Sequence, residues 1–212
     1  MNPRFAITIG SYALSQFVEL NILQCKKVFG ADTPILVSDD WSVRSQEIKE
    51  IASRHGVYHC CSKEPRGHFA GDAAAVVNAL AFARDQGAQI AIKVSQRFIF
   101  VEPVCQEIIS HAMASPEIWL ALPGRISAHT IHRLESRFFA QFPINSDVVA
   151  IRTGTLSPEA VKGLYESKCN TRANALDGYI EALWNGLLDT HFANHYVILK
   201  ELTHPYPGRP PL

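Results

Sequence analysis

Short apolar runs rich in β-branched residues alternate with longer amphipathic segments along the first half of the chain, and this alternation is the strongest constraint on the fold. The runs are FAITIG (5–10), PILVSDD (34–40), VYHCC (57–61) and QIAIKVSQRFIF (89–100). Helical spacing of apolar residues marks the three segments between them, 14–30, 42–56 and 71–88. Strands separated by helices are typical of parallel β/α units. The sequence therefore predicts an α/β fold with a mostly parallel central sheet.

The second half of the chain is less regular. Its patterns predict three more strands, at 117–124, 147–154 and 195–202. They also predict three more helices, at 103–114, 157–168 and 173–188. No internal repeat and no interdomain linker interrupts the 212 residues, so we predict a single domain over 1–212.

Composition narrows the class of partner and the compartment. Twenty basic residues balance twenty acidic ones, so no overall charge favours nucleic acid, and we expect no nucleic-acid partner. The five cysteines are odd in number and form no C-x-x-C pair, which argues against a disulfide framework and favours a cytoplasmic protein. The N-terminus lacks a signal-peptide pattern, and no apolar run reaches the roughly 20 residues of a transmembrane segment. We expect a soluble protein.

Polar residues cluster where the predicted strands end, which is the edge at which parallel α/β sheets bind ligands. The candidate binding residues at this edge are Gly10, Ser11, Tyr12, Asp39, Asp40, Arg66, Asp72, Lys93, Ser95 and Arg97. Which of these residues lie close together depends on the order of the strands in the sheet.

Two cations stand inside the apolar run that ends the first half. Alternate residues of a strand share a face, so Lys93, Ser95 and Arg97 are predicted to point one way and Ile92 and Val94 the other. Arg as a bidentate fork and Lys as a point charge could hold a diphosphate or a carboxylate. The alternative is that they pair with carboxylates of the core, because a buried charge is costly unless it is matched.

Two further clusters allow both a binding and a structural role. Asp39 or Asp40 could accept hydrogen bonds from a base or a ribose while the other caps the following helix. Arg66 lies in a turn before a helix rich in small residues, which could form an anion site. The alternative is a surface turn in which Asp72 interacts with the helix dipole.

Asp177 and Glu181 are four residues apart on a predicted helix and therefore share a face, where one of them could act as a general base. Solvated carboxylates are the alternative. His191 and His195 have the same spacing but lack the Glu of H-E-x-x-H, which favours a structural role over a metal site. No G-x-G-x-x-G, G-x-x-x-x-G-K-[ST] or G-x-S-x-G motif occurs, which argues against dehydrogenases, P-loop NTPases and α/β-hydrolases.

In the order of its elements and in several loops, the chain resembles the nucleotide-diphospho-sugar transferases, the GT-A class of glycosyltransferases. The matching segments are IGSY (9–12), SDDW (38–41) and RGHFAGDAAAVVNALAFA (66–83). The resemblance implies a GT-A-like three-layer α/β/α sandwich. It divides the domain into a nucleotide-binding half, 1–101, and an acceptor-side half, 102–212.

The same resemblance implies a function and roles for particular residues. Gly10, Ser11 and Tyr12 would touch the nucleotide, Asp39 or Asp40 would lie near the base, and Asp177 or Glu181 near the reacting carbon. The implied reaction moves a sugar from a nucleotide-diphospho-sugar donor to a hydroxyl of a saccharide or lipid-linked acceptor, in surface polysaccharide or lipopolysaccharide synthesis.

The end of the fourth strand departs from the class. Such enzymes usually carry a D-x-D motif there, whose carboxylates hold a divalent metal ion, but this chain reads KVSQR (93–97). Since cations do not ligate a cation, the sequence supports no metal cofactor, although it leaves a divalent metal such as manganese open, and we expect Lys93 and Arg97 to neutralise the diphosphate instead. A nucleotide-binding protein without catalytic activity and a nucleotidyltransferase are the alternative functions.

Overall fold

The structure is a computed structural model of the 212-residue chain. It describes residues 4–96, 116–117, 119–123, 147–169, 184, 187 and 191–199. The candidate residues Arg97, Asp177 and Glu181 lie outside these ranges, and their predicted roles stay predictions.

Strands and helices alternate in the first half as the sequence predicts. In chain order the elements are β1 (Phe5–Ser11), α1 (Ser15–Phe29), β2 (Ile35–Asp39), α2 (Ser45–Arg54), β3 (Tyr58–Cys61), α3 (Gly67–Asp85), β4 (Ile90–Ser95), β5 (Leu120–Pro123), β6 (Val148–Arg152), α4 (Pro158–Cys169) and β7 (Tyr196–Leu199).

The strands form one seven-stranded sheet in the order β3-β2-β1-β4-β6-β5-β7. The pairs β2–β3, β1–β2, β1–β4 and β5–β7 are parallel. Strand β6 runs antiparallel to both of its neighbours, β4 and β5. The prediction of a mostly parallel sheet is confirmed, with β6 as the reversed strand.

Helices cover both faces of the sheet, so the predicted three-layer α/β/α sandwich is confirmed. On one face, alternate residues of β1 such as Ile7 and Ile9 pack with Val18 and Ile22 of α1 and with residues of α2. On the opposite face, the core contains residues of α3 and α4. The period-two alternation of each strand thus supplies two separate cores.

Within the described part of the chain, none of the helices is long and apolar enough to span a membrane.

Candidate functional site

The carboxyl ends of β1, β2 and β4 lie side by side and bring the predicted loops together. Ser11 is the strand partner of Asp39, and Gly10 lies between Ser38 of β2 and Ser95 of β4. Gly10 is closely covered: a Cβ atom there would lie 3.2 Å from the Cβ of Ala75 in α3. Four of the candidate residues, Gly10, Ser11, Asp39 and Ser95, therefore meet at one edge of the sheet.

Asp39 is the buried carboxylate of this edge, with 2% of its surface exposed. Its Oδ2 accepts hydrogen bonds from the Ser45 hydroxyl of α2 and, at 3.7 Å, from the Cys61 thiol of β3. Its Oδ1 is buried and has no hydrogen-bond partner within the described ranges, and the same is true of the neighbouring Ser11 hydroxyl. Because a buried, unpaired polar atom costs about 1–3 kcal/mol, this pair is suited to a ligand that supplies hydrogen bonds.

Lys93 is buried on the opposite face of the sheet, with 1% of its surface exposed. Its ammonium group forms an ion pair with Asp72 of α3 and donates a hydrogen bond to the Ser95 hydroxyl at 3.2 Å. The predicted common face of Lys93 and Ser95 is confirmed. The pairing with Asp72 matches the structural alternative, in which the cation meets a carboxylate of the core.

Asp40 lies at the start of α3 and not at the helix that follows it in sequence. Its carboxylate accepts hydrogen bonds from the Arg66 backbone N–H at 3.3 and 3.2 Å and from the Ser62 hydroxyl at 3.2 Å. The positive end of the α3 dipole is thus occupied by a carboxylate of the protein itself. Helix α3 begins at Gly67 and not at residue 71, so Asp72 lies beyond its first turn.

Two aromatic side chains project from the loops that follow β1 and β2. Tyr12 is 54% exposed and Trp41 is 51% exposed. The two loops are joined by a hydrogen bond from the Asp40 N–H to the Ser11 carbonyl at 3.0 Å. Trp41 and Ala13 have positive φ angles of 53° and 63°, a conformation that side-chain-bearing residues seldom adopt and that is often found at binding sites.

Gln96, which directly follows β4, is a residue of the site that the sequence reasoning missed. The Tyr12 N–H donates to its side-chain oxygen at 2.8 Å, and its amide nitrogen donates to the Tyr12 carbonyl at 2.5 Å. No local pattern could reveal this contact, because the partner is the backbone of a residue 84 positions earlier.

Burial shifts two pKa values in β3, at the margin of the site. Desolvation lowers the pKa of His59, and it raises the pKa of the Cys60 thiol. Both groups are therefore held in their neutral forms near pH 7. These two side chains of β3 therefore add no charge to the edge.

The described residues include no group of three or more His, Cys, Asp or Glu side chains that could hold a metal ion. His191 and His195 each bond to a backbone carbonyl, of Thr155 and Glu117, at 3.0 Å. His195 also stacks on Trp119 with ring centroids 4.0 Å apart. The structural role predicted for these histidines is confirmed.

No family model matches the sequence, and no curated protein is similar to it. Solved structures do match. A mannosyltransferase from Pyrobaculum calidifontis is 12% identical with a TM-score of 0.57, over 95% of this chain and 56% of that one. Glucosyl-3-phosphoglycerate synthase from Mycobacterium tuberculosis is 11% identical with a TM-score of 0.61, over 93% of this chain and 70% of that one. A cytidylyltransferase from Leptospira borgpetersenii is 12% identical with a TM-score of 0.51, over 94% and 76%.

The chain has the fold of the nucleotide-diphospho-sugar transferases. This confirms the GT-A resemblance at the level of the fold. The chain spans little more than half of the mannosyltransferase, at 56% of its length.

The same structures correct the prediction that no metal cofactor is involved. The mannosyltransferase was solved with GDP-Man and Mn²⁺, and the synthase with UDP and Mn²⁺. The prediction depended on the sequence at the end of a single strand, KVSQR (93–97). Since metal ligands can come from several loops of a site, the sequence of one loop does not exclude a metal ion.

Proposed function

We propose that the protein is a glycosyltransferase that moves a sugar from a nucleotide-diphospho-sugar to a hydroxyl acceptor. The observation that carries the proposal is the buried pair of Asp39 Oδ1 and Ser11 Oγ, both without a partner among the described residues, at the ligand-binding edge of a GT-A fold. A carboxylate oxygen in this position accepts a hydrogen bond from a ribose hydroxyl or a base N–H, and the serine hydroxyl both donates and accepts.

The loops that follow Ser11 and Asp39 carry aromatic rings on which a nucleobase can stack. Tyr12 and Trp41 are exposed aromatic rings on the adjoining loops, and a nucleobase that stacks on such a ring gains about 1–3 kcal/mol. In the proposed complex the base lies against one of these rings and the ribose lies over Asp39. The site thereby recognises the nucleoside through a stacking surface and a hydrogen-bonding carboxylate.

The residues that would neutralise the diphosphate and the residue that would deprotonate the acceptor hydroxyl are also proposals. Lys93 lies directly beneath the edge, next to Ser95, but its ammonium group is buried and its charge is matched by Asp72. We assign Arg97 to the diphosphate and Asp177, with Glu181 as second choice, to deprotonation of the acceptor hydroxyl. The acceptor is a saccharide or a lipid-linked acceptor in surface polysaccharide or lipopolysaccharide synthesis.

The proposal is tested first by binding. Uridine, guanosine, cytidine and thymidine diphosphates are added singly in a thermal-shift assay, each with and without Mn²⁺. A ligand that binds the native state at 100 times its Kd stabilises it by about 2.7 kcal/mol, so at least one diphosphate should raise the melting temperature by several degrees. If all four leave it unchanged in both conditions, the proposal is wrong.

Turnover then separates glycosyl transfer from its alternatives. The nucleotide sugar matching the diphosphate that binds is incubated with Mn²⁺ or with EDTA, and release of nucleoside diphosphate is followed. Release supports the transferase. Binding without release across a panel of donor sugars and hydroxyl acceptors indicates the nucleotide-binding protein without catalytic activity.

A nucleotidyltransferase is the second candidate, because a cytidylyltransferase shares the fold with a TM-score of 0.51. Against it, the first loop, IGSYALSQ (9–16), has one glycine and no arginine for a triphosphate. Release of pyrophosphate from a nucleoside triphosphate and a sugar phosphate would support this candidate over the glycosyltransferase.

A further inference from the structure

The loop after β1 is held by the side chain of the residue that directly follows β4, and the contacts involve only the backbone of the loop. Gln96 uses both ends of its carboxamide on Tyr12: the Tyr12 N–H donates to Oε1 at 2.8 Å, and Nε2 donates to the Tyr12 carbonyl at 2.5 Å. A carboxamide is well suited to this task because it carries a donor and an acceptor side by side. The pairing replaces the strand-to-strand ladder just beyond the point where β1 ends.

Gln96 is itself fixed from two sides. Its backbone N–H donates to the Gly10 carbonyl at 2.9 Å, which extends the pairing of β4 with β1. Its carbonyl accepts a hydrogen bond at 2.7 Å from the side chain of Asn21, a fully buried residue of α1. The carboxamide therefore extends from a backbone position that has little freedom to move.

The segment that Gln96 holds contains a strained backbone position. Ala13, next to Tyr12, has a φ angle of 63°, which costs an alanine on the order of 1 kcal/mol or more. The Tyr12 ring is 54% exposed and gains little packing against the rest of the protein. Among the described side chains, the Gln96 carboxamide is the one that bonds to the Tyr12 backbone, from which the ring extends.

We propose that Gln96 is a positioning residue for ligand binding: its carboxamide fixes the Tyr12 backbone and thereby holds the Tyr12 ring in place to contact a nucleotide beside Asp39. That the ligand is a nucleotide rests on the proposed function, whereas the restraint of Tyr12 by Gln96 does not.

The restraint is tested without any ligand by residue-resolved amide hydrogen exchange. Gln96→Met removes both side-chain hydrogen bonds at similar volume, and we expect the Tyr12 amide to exchange about tenfold faster, as loss of one such bond implies. Gln96→Glu retains the acceptor for the Tyr12 N–H and should keep most of its protection. Gln46→Met, at an exposed position of α2 where the lost bond goes to Glu50, is the matched control and should leave Tyr12 unchanged.

Two results of the hydrogen-exchange experiment would show that Gln96 does not specifically restrain Tyr12. One is an unchanged Tyr12 amide in Gln96→Met. The other is an equal acceleration of the Ile7 amide, which is bonded to the Pro34 carbonyl in the body of the sheet, because this would indicate a general loss of stability. A merely structural role for Gln96 predicts that second pattern.

The effect on the ligand is measured by calorimetry with the four nucleoside diphosphates in the presence of Mn²⁺. We expect Gln96→Met to weaken binding about tenfold, Gln96→Glu to weaken it less, and Gln46→Met to leave it unchanged. Faster exchange at Tyr12 together with unchanged affinity would overturn the positioning role. A wild-type protein that binds none of the four would refute the proposed function and the ligand part of this inference, while the exchange data still decide the restraint.

Discussion

Asp39 and Asp40 are adjacent in sequence, yet each serves a different face of the sheet. Asp39 ends β2 and points toward α2, where Ser45 and Cys61 bind one of its two oxygens. Asp40 points the other way, toward the start of α3, and accepts the Arg66 N–H. Strand alternation therefore separates a carboxylate whose second oxygen has no partner among the described residues from a carboxylate that stabilises a helix.

Asp39→Asn should weaken nucleoside diphosphate binding by about 1–3 kcal/mol, because the charged acceptor is lost while the shape is kept. Calorimetry with the diphosphate that binds most tightly measures the change. Asp32→Asn, at an exposed position before β2, is the control and should bind as the wild type does. Equal affinity in both variants would remove Asp39 from the proposed site.

Lys93→Met should lower the free energy of unfolding by about 2–4 kcal/mol, because it leaves the largely buried Asp72 without its partner. The double variant Lys93→Met/Asp72→Asn removes that uncompensated charge and should recover at least half of the loss. Urea unfolding followed by circular dichroism measures both. A double variant as unstable as the single one would show that the ion pair is not the reason for the cost.

At the scale of the elements, α3 joins the two halves of the candidate site. Its first residues meet Asp40, and its second turn supplies Asp72 to Lys93. Gly71 lies where helix and loop are closest: a Cβ atom there would lie 2.6 Å from Asp40 Oδ2 and 2.9 Å from its Cγ. The start of α3 is thus determined by a carboxylate from another part of the chain.

Gly71→Ala should destabilise the protein by about 1 kcal/mol, although alanine normally favours a helix by about that amount over glycine. The new methyl group displaces the Asp40 carboxylate from the Arg66 N–H. Gly163→Ala in α4 is the matched control and should be stabilising, because in the described part of the chain nothing beyond the adjoining residues and the backbone of α4 lies within 4 Å of the added Cβ. The midpoints of urea unfolding of both variants are compared with that of the wild type. A stabilising Gly71→Ala would contradict the close contact between Gly71 and the Asp40 carboxylate.

The link between α1 and α2 depends on pH. Glu19 of α1 bonds to His55 and Arg54 at the end of α2, and the hydrogen bond from His55, followed by the charge of Arg54, lowers the pKa of Glu19. A lowered folded pKa gives stability that is present above the ordinary glutamate pKa of about 4.3 and is lost as pH falls through the folded value. Glu19→Gln should therefore be less stable than the wild type at pH 7, and the difference should shrink as pH falls through the folded pKa of Glu19.

Urea unfolding of wild type and Glu19→Gln between pH 3 and pH 7 measures that difference. Glu50→Gln, an exposed position of α2 that bonds to Gln46, is the control and should show a smaller pH dependence. A constant difference across this range would show that the ionised form of Glu19 is not the source of the stability.

The elements were predictable from sequence to a greater degree than the contacts between them. The strand at 147–154 was predicted and forms β6 (Val148–Arg152), but its reversed direction was not, because direction depends on the path of the intervening chain. The common face of Lys93 and Ser95 followed from the period of a strand. The acceptor of the Arg66 N–H and the partner of Gln96 lie far away in sequence, so no local pattern encoded them.

At the scale of the whole molecule, the two halves of the chain share one sheet. Strand β4 of the first half pairs with β6 of the second over residues 90–94 and 148–152. The site edge includes this junction, since the Ser95 N–H donates to the Asp147 carbonyl at 2.7 Å. A nucleotide-binding half and an acceptor-side half are therefore functional proposals within a continuous sheet.

A fragment of residues 1–101 should fail to unfold cooperatively, because it leaves the β4 edge and the core residues behind it without β6. The full chain should unfold in one transition by circular dichroism and by tryptophan fluorescence. Urea titration of both proteins checks this expectation. A fragment with a sharp transition of its own would indicate that the first half is an independent domain.

The placement of β6 also has a consequence for synthesis. Because the ribosome delivers β6 some fifty residues after β4, the nascent chain exposes β4 as an edge strand next to a completed β1 ladder, and an apolar edge invites pairing with other chains. Lys93 places a charge in the middle of that edge, and inward-pointing lysines are a known protection against such pairing. We expect this charge to hinder such pairing until β6 joins the sheet.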